Sequence, residues 1–175
     1  VQIPTTFAAD STSATVQLKA TWLVCRVECI PEEGSFSLTL PVKSSTGMYA
    51  AEFAAAHAQE PAPLQGESHA TVQGSNLQLR VSGLPAALHN QPLQVLPESA
   101  NTLHHAMEAG KDFTQQWDGA VWTAIVPLSD ARGETPAELP LVLTAANRTA
   151  AGQATAWRTV APISGQWQAA AVAQV

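Results

Sequence analysis

The sequence predicts a mainly β fold: antiparallel immunoglobulin-like β-sandwiches with one or two short helices. Three observations support this class. Apolar and polar residues alternate over many short runs, Gly, Pro and Asn cluster between these runs, and a single stretch has the alanine-rich composition of a helix. Alternation with a period of two is typical of half-buried strands. Several short strands separated by turn residues are typical of sandwiches.

Two alternating runs, 15–24 and 35–40, flank the only two cysteines of the chain, Cys25 and Cys29. Residues four apart in one extended strand lie about 13 Å from each other. A disulfide requires Cα atoms about 4.4–6.8 Å apart, so this pair can bond only where the chain reverses or coils. We expect a hairpin whose connection is the three residues between the cysteines. Because Pro31 cannot donate to a ladder, we expect regular pairing to resume only near residue 35.

The rest of the chain follows in order. Residues 49–59 are rich in alanine and predict a helix that ends before Pro61. We therefore expect residues 1–60 to be part of an N-terminal immunoglobulin-like domain that carries the cysteines, 61–74 to be a linker, and 75–175 to be a second sandwich-like domain. Within this second domain, the sequence predicts a helical turn at 103–109 and strands at 76–82, 92–96, 119–126, 139–145 and 153–160.

Composition excludes several functions. The net charge of −6, without a basic cluster, argues against nucleic-acid binding. No apolar run reaches the length of about 18 residues that a membrane-spanning helix needs, so we expect a segment outside the bilayer. The chain does not begin with a leader, so we expect either a removed leader or a start within a longer protein.

The cysteine spacing leaves several roles open. A disulfide that closes so short a loop stabilises a fold by only about 2 kcal/mol, because it removes little conformational entropy from the unfolded chain. A closely spaced pair near a turn suits reversible opening and closing, which favours a redox-active pair. A structural disulfide, a metal site and two free thiols remain alternatives.

The segment Trp22-Leu-Val-Cys-Arg-Val-Glu-Cys-Ile-Pro-Glu-Glu33, with the strand 35–42 after it, resembles the periplasmic N-terminal region of the DsbD family of transmembrane thiol:disulfide interchange proteins. The three-residue spacer between the cysteines is closest to the branch called ScsB, the suppressor of copper sensitivity. The segments 122–128, 136–143 and 165–167 are similar to the end of the ScsB-type region, although this likeness is diffuse.

The resemblance implies a protein-disulfide reductase module, part of a larger inner-membrane protein, with Cys25 and Cys29 as the redox pair and Trp22 and Pro31 as supporting residues. Such a module relays electrons from a membrane-embedded domain, through a thioredoxin-like domain, to oxidised periplasmic proteins. It implies a periplasmic location, no cofactor and no resident metal, with cytochrome c biogenesis or copper tolerance as family-level associations. We expect attack at Cys29. The alternative is a non-catalytic binding or structural sandwich with a fixed disulfide.

Other patterns carry less information. The five histidines lack the spacing of a metal site, so we expect surface residues; these are His57, His69, His89, His104 and His105. The triplet beginning at Asn147 fits a glycosylation acceptor, a match that is common by chance. No nucleophile elbow or phosphate-binding loop is present.

Overall fold

The computed structural model describes residues 6–8, 10–25, 29–43, 47, 49–105, 107–146 and 156–170. The chain divides into two compact units, Val1–Phe53 and Ala54–Val175. The division therefore falls before the stretch 61–74, where the sequence predicts a linker. The sequence-predicted glycosylation acceptor at Asn147 lies outside the described residues.

The described strands of the first unit form one antiparallel hairpin, made of β1 (Ser13–Cys25) and β2 (Cys29–Pro41). Its register places Ser13 opposite Pro41 at the open end and Cys25 opposite Cys29 at the closed end. β2 begins six residues earlier than the sequence predicts. Pro31 is compatible with this longer strand because its missing N–H lies on the outer edge of the hairpin, where no ladder bond is lost.

Helix α1 (Ala50–Ala58) confirms the helix predicted at 49–59. Its alanine content favours helix, and Glu52 in the first turn and His57 in the last lie where the helix dipole favours their charge. None of its residues is buried. The helix spans the boundary between the two units, so the first unit ends within its first turn.

The second unit is a β-sandwich. Its strands are β3 (Ala62–Pro63), β4 (Ser68–Gln73), β5 (Asn76–Val81), β6 (Leu93–Pro97), β7 (Thr114–Asp118), β8 (Val121–Pro127), β9 (Glu138–Ala145) and β10 (Ala156–Ser164). A short 3-10 helix, Ala86–Leu88, precedes β6. All neighbouring strands pair antiparallel, except that β10 runs parallel to β3 and to β4.

Strand β10 joins the two halves of the sandwich. Its residues 156–162 pair with β9, whereas Ile163 and Ser164 pair with β4. One half therefore has the order β6-β9-β10-β3 and the other has the order β4-β5-β8-β7. With β3 and β4 taken together as the first strand, this is the strand order of a constant-type immunoglobulin domain, which agrees with the immunoglobulin-like sandwich that the sequence predicts.

Both halves contribute to one hydrophobic core. Trp122 of β8 is fully buried, and alternate residues of β5 and β9 pack with it. The largest completely buried side chains are Trp122, Leu77, Leu79, Leu93, Leu139, Leu141, Leu143, Val81, Val95 and Val126. Since this period of two is the pattern that predicts the strands, sequence and packing agree here.

Three segments differ from the sequence predictions. The stretch 61–74 carries β3 and β4, which pair with β10 and β5, so it is part of the sandwich. Strand β7 was not predicted. The helical turn predicted at 103–109 is wrong for the described residues, because Leu103 forms a bridge with Leu128 and Ala109 forms one with Phe113.

Candidate functional site

The hydrogen-bond pattern of the hairpin determines which backbone groups face outwards. The Val42 N–H donates to the Thr12 carbonyl at 3.1 Å, so this pair is hydrogen-bonded. Hydrogen-bonded and non-hydrogen-bonded pairs alternate along an antiparallel ladder. Each odd-numbered pair, from Ser13 and Pro41 up to Cys25 and Cys29, is therefore non-hydrogen-bonded.

The cysteines thus face each other at a position that suits a bond between strands. Cα atoms of a non-hydrogen-bonded pair lie about 4.5 Å apart, within the range that a disulfide spans. Cys29 is disulfide-bonded and exposed, and the residue that faces it, Cys25, is the other cysteine of the chain. The connection 26–28 lies outside the described residues.

The hairpin has two unlike faces. The cysteine face consists of the odd-numbered residues of both strands, and a 3.0 Å hydrogen bond between the hydroxyls of Thr15 and Thr39 crosses it. The apolar face consists of the even-numbered residues, which include Val16, Leu18, Trp22, Val24, Ile30, Phe36 and Leu38. All seven of these side chains are exposed.

Trp22 lies on the apolar face, opposite to the cysteine face, where its side chain is 41% exposed. Gly34 leaves room for it: a Cβ there would lie 2.9 Å from Cζ of Phe36 and 3.2 Å from Cη2 of Trp22. The structure therefore groups Trp22 with Phe36 and Gly34. Of the two supporting residues that the resemblance implies, only Pro31 shares a face with the cysteines.

Leu23 is the neighbour that the sequence analysis missed. It faces Pro31 directly, so these two residues form the rung next to the cysteine pair on the cysteine face. The sequence contains the signal for it: β1 alternates until Trp22, and Leu23 then places an apolar residue on the otherwise polar side. The continuous apolar run of residues 22–24 hides that break.

Charges near the site are exposed. The Lys19 ammonium lies 3.7 Å from the Glu33 carboxylate on the cysteine face, and both side chains are about 70% exposed. Such a pair contributes little to stability. On the apolar face, Glu32 is the acidic residue opposite Trp22. The described surroundings of Cys29 are thus solvated and partly acidic.

Among the described residues, neither the histidines nor the cavity of the second unit forms a second candidate site. Within the described residues, no cluster of three His, Cys, Asp or Glu side chains is placed to hold a metal ion. His104 and His105 stack with ring centroids 5.2 Å apart.

An open cavity of about 470 Å³ in the second unit is bordered by Arg132 and Trp167. The Nε and Nη1 groups of Arg132 donate to the carbonyls of Gln168 and Ser129, so this guanidinium holds the local backbone together.

The fold and the site define a mainly β chain in which an immunoglobulin-like sandwich accompanies a disulfide-bearing hairpin. Comparison with protein-family models, with curated proteins and with solved structures finds no match to this chain. No helix among the described ranges is long and apolar enough to cross a bilayer. The DsbD-like role is therefore an inference from the sequence resemblance, whose only specific part is the cysteine segment.

Proposed function

We propose that the β1–β2 hairpin is a thiol–disulfide exchange module, in which Cys25 and Cys29 pass electrons between protein partners. The observation that carries this proposal is the position of the disulfide. Cys29 is exposed at the closed end of a hairpin, and it is not one of the residues that form the hydrophobic core of the second unit. A partner thiolate needs such access, because exchange proceeds by attack on a disulfide sulfur.

The small ring supports the same interpretation. A bridge that closes so short a loop contributes about 2 kcal/mol of chain entropy before any strain is subtracted. A staple that held the sandwich together would join strands of the core instead. All buried hydrophobic residues of the described core belong to the second unit, which contains no cysteine.

The chemistry is a balanced two-electron exchange. A thiolate of a reduced partner dithiol attacks Sγ of Cys29, a mixed disulfide forms, and Cys25 leaves as a thiolate. The second partner thiolate then attacks the partner's own sulfur and releases Cys29. The partner is oxidised to a disulfide, and the Cys25–Cys29 pair holds two electrons that it returns to an oxidised protein by the reverse steps.

The resemblance to the DsbD family, and to its ScsB branch, supplies the wider assignment. It supports a protein-disulfide reductase module that lies in the periplasm as part of an inner-membrane protein. A membrane-embedded domain and a thioredoxin-like domain would be the electron source, and oxidised periplasmic proteins the acceptors. The chemistry requires no cofactor beyond the cysteines. A link to cytochrome c biogenesis or copper tolerance rests on the same resemblance.

One alternative has its own supporting observation. An isolated two-stranded hairpin is marginally stable in water, so a disulfide at its closed end would also act as a fixed clamp. The chain would then be a binding or structural module, and the bridge would resist reduction.

The reduction potential separates the two functions. We would equilibrate the protein in glutathione or dithiothreitol buffers, alkylate the free thiols and count them by mass spectrometry. A relay predicts a potential above about −300 mV and rapid exchange with a thioredoxin-like protein. A bridge that stays oxidised until the protein unfolds would refute the relay.

A further inference from the structure

The cysteine face is polar along most of its length and becomes apolar only beside the cysteines. On β1, its residues are polar from Ser13 to Thr21, and on β2 they are polar from Thr39 back to Glu33. The next rung towards the cysteines is Leu23 opposite Pro31. This change in polarity therefore coincides with the position of the disulfide.

Leu23 is unusually exposed. At 63%, it is the most exposed of the large hydrophobic side chains in the described part of the chain. The hairpin already has an apolar face on its other side, so packing of that face does not account for Leu23. Contact between this apolar side chain and water is unfavourable, and a partner that covers the side chain would remove that contact.

We propose that Leu23, together with Pro31, is the docking contact for the protein dithiol that reduces Cys29. The inference rests on the proposed function and adds the residues that select the partner. Leu23 and Pro31 each lie two residues, about 7 Å along the strand, from the cysteine pair. A partner whose thiolate lies within an apolar surface therefore covers both residues when it reaches Sγ of Cys29.

The size and surroundings of this contact specify the kind of partner. The apolar contact is one rung deep, and the next rung consists of Thr21 and Glu33. Lys19, on the following rung, pairs with Glu33 at 3.7 Å. A small apolar contact with a polar rim suits an encounter that must dissociate after each exchange. A small thiol such as dithiothreitol has no surface to dock, so it provides an internal reference.

The test compares a protein reductant with a small one. The probes are reduced thioredoxin and dithiothreitol, and the readout is the second-order rate constant for reduction of the disulfide, followed by thiol alkylation at timed intervals. The variant is Leu23→Thr, which keeps a residue that favours strands. The matched control is Val24→Thr, because Val24 is adjacent and 53% exposed but lies on the apolar face.

We expect Leu23→Thr to react about tenfold more slowly with thioredoxin, since the partner buries the leucine in the encounter. Its rate with dithiothreitol and its reduction potential should match the wild type, and Val24→Thr should match the wild type with both reductants. An unchanged thioredoxin rate in Leu23→Thr overturns the docking proposal and leaves the relay intact. Equal slowing with both reductants also overturns it, because Leu23 would then act on the disulfide itself. A wild-type protein that thioredoxin does not reduce refutes the relay and the docking contact together.

Discussion

Cys25 and Cys29 face each other across a non-hydrogen-bonded position at the closed end of the β1–β2 ladder. At such a position, the backbone N–H and C=O groups of both residues point away from the partner strand. Reduction of the disulfide therefore breaks no ladder hydrogen bond at this rung. The next rung in the ladder, Val24 opposite Ile30, is hydrogen-bonded and can hold the register in the reduced state.

This arrangement predicts that the sandwich does not depend on the disulfide. In a Cys25→Ser/Cys29→Ser variant, we expect the free energy of unfolding of the second unit to change by less than about 0.5 kcal/mol, the usual limit for surface changes. The measurement is urea unfolding followed by tryptophan fluorescence. A Trp22→Phe background confines the signal to the second unit, since the other four tryptophans lie there. A lower midpoint in the serine variant would contradict this prediction and favour a structural bridge.

A second prediction concerns Gln115, which joins the free edges of the two halves of the sandwich. Its Oε1 accepts hydrogen bonds from the Trp122 Nε1–H and the Leu93 N–H, both at 2.8 Å, and its Nε2 donates to the Leu93 carbonyl at 3.0 Å. Trp122 and Leu93 are fully buried. Gln115→Ala leaves their polar groups without these partners, and each unpaired buried group costs about 1–3 kcal/mol.

We therefore expect Gln115→Ala to lower the free energy of unfolding of the second unit by about 3 kcal/mol in urea titrations. The control is Gln116→Ala. Gln116 is the next residue of β7, and it is exposed, so its removal should have almost no effect. Similar free energies of unfolding for the two variants would show that the hydrogen bonds of Gln115 do not stabilise the contact between β6 and β7.

The sequence predicted the strands that contain several large apolar residues and missed those that contain few. β5 alternates between polar and apolar residues, and β8 is apolar at five of its first six positions, so the strand character of both is local and visible. β4 has only Ala70 and Val72 as apolar residues, and its pairing with β5 and β10 is long-range. β7 turns the polar Gln115 towards Leu93 and Trp122, which breaks the expected pattern. The pattern of apolar residues within one segment does not reveal hydrogen bonds to residues that are distant in the sequence.

The candidate site shows the same limit. The spacing of Cys25 and Cys29 predicted that the two residues face each other, because three residues suffice for a reversal. The face on which their neighbours lie depends on the register of the whole ladder. That register places Trp22 away from the cysteines and Leu23 beside them.

A third prediction concerns Gly83, where two backbone segments approach closely. Gly83 has a φ of +77°, and a Cβ there would lie 2.4 Å from the Gln65 carbonyl oxygen. Because both the conformation and the neighbouring backbone oppose a side chain, Gly83→Ala should destabilise the second unit by about 2–4 kcal/mol. Gly133→Ala is the control, since a Cβ at Gly133 meets no atom within 4 Å. Thermal unfolding of both variants checks the prediction, and equal melting temperatures would contradict it.

The last prediction tests how β10 joins the two halves of the sandwich. The hydroxyls of Ser68 in β4 and Thr159 in β10 lie 2.7 Å apart, and Ser68 is buried. A double-mutant cycle with Ser68→Ala and Thr159→Ala should give a coupling free energy of about 1 kcal/mol, the usual value for a hydrogen bond shielded from water.

The reference cycle uses Thr71→Ala and Ser164→Ala. These hydroxyls also link β4 to β10, at 3.1 Å, but they are exposed. Water replaces an exposed hydrogen bond at little cost, so this second coupling should fall below about 0.5 kcal/mol. Urea unfolding of the single and double variants gives both values. Equal coupling free energies for the exposed pair and the buried pair would contradict the prediction. Burial of Ser68 would then not strengthen its hydrogen bond to Thr159.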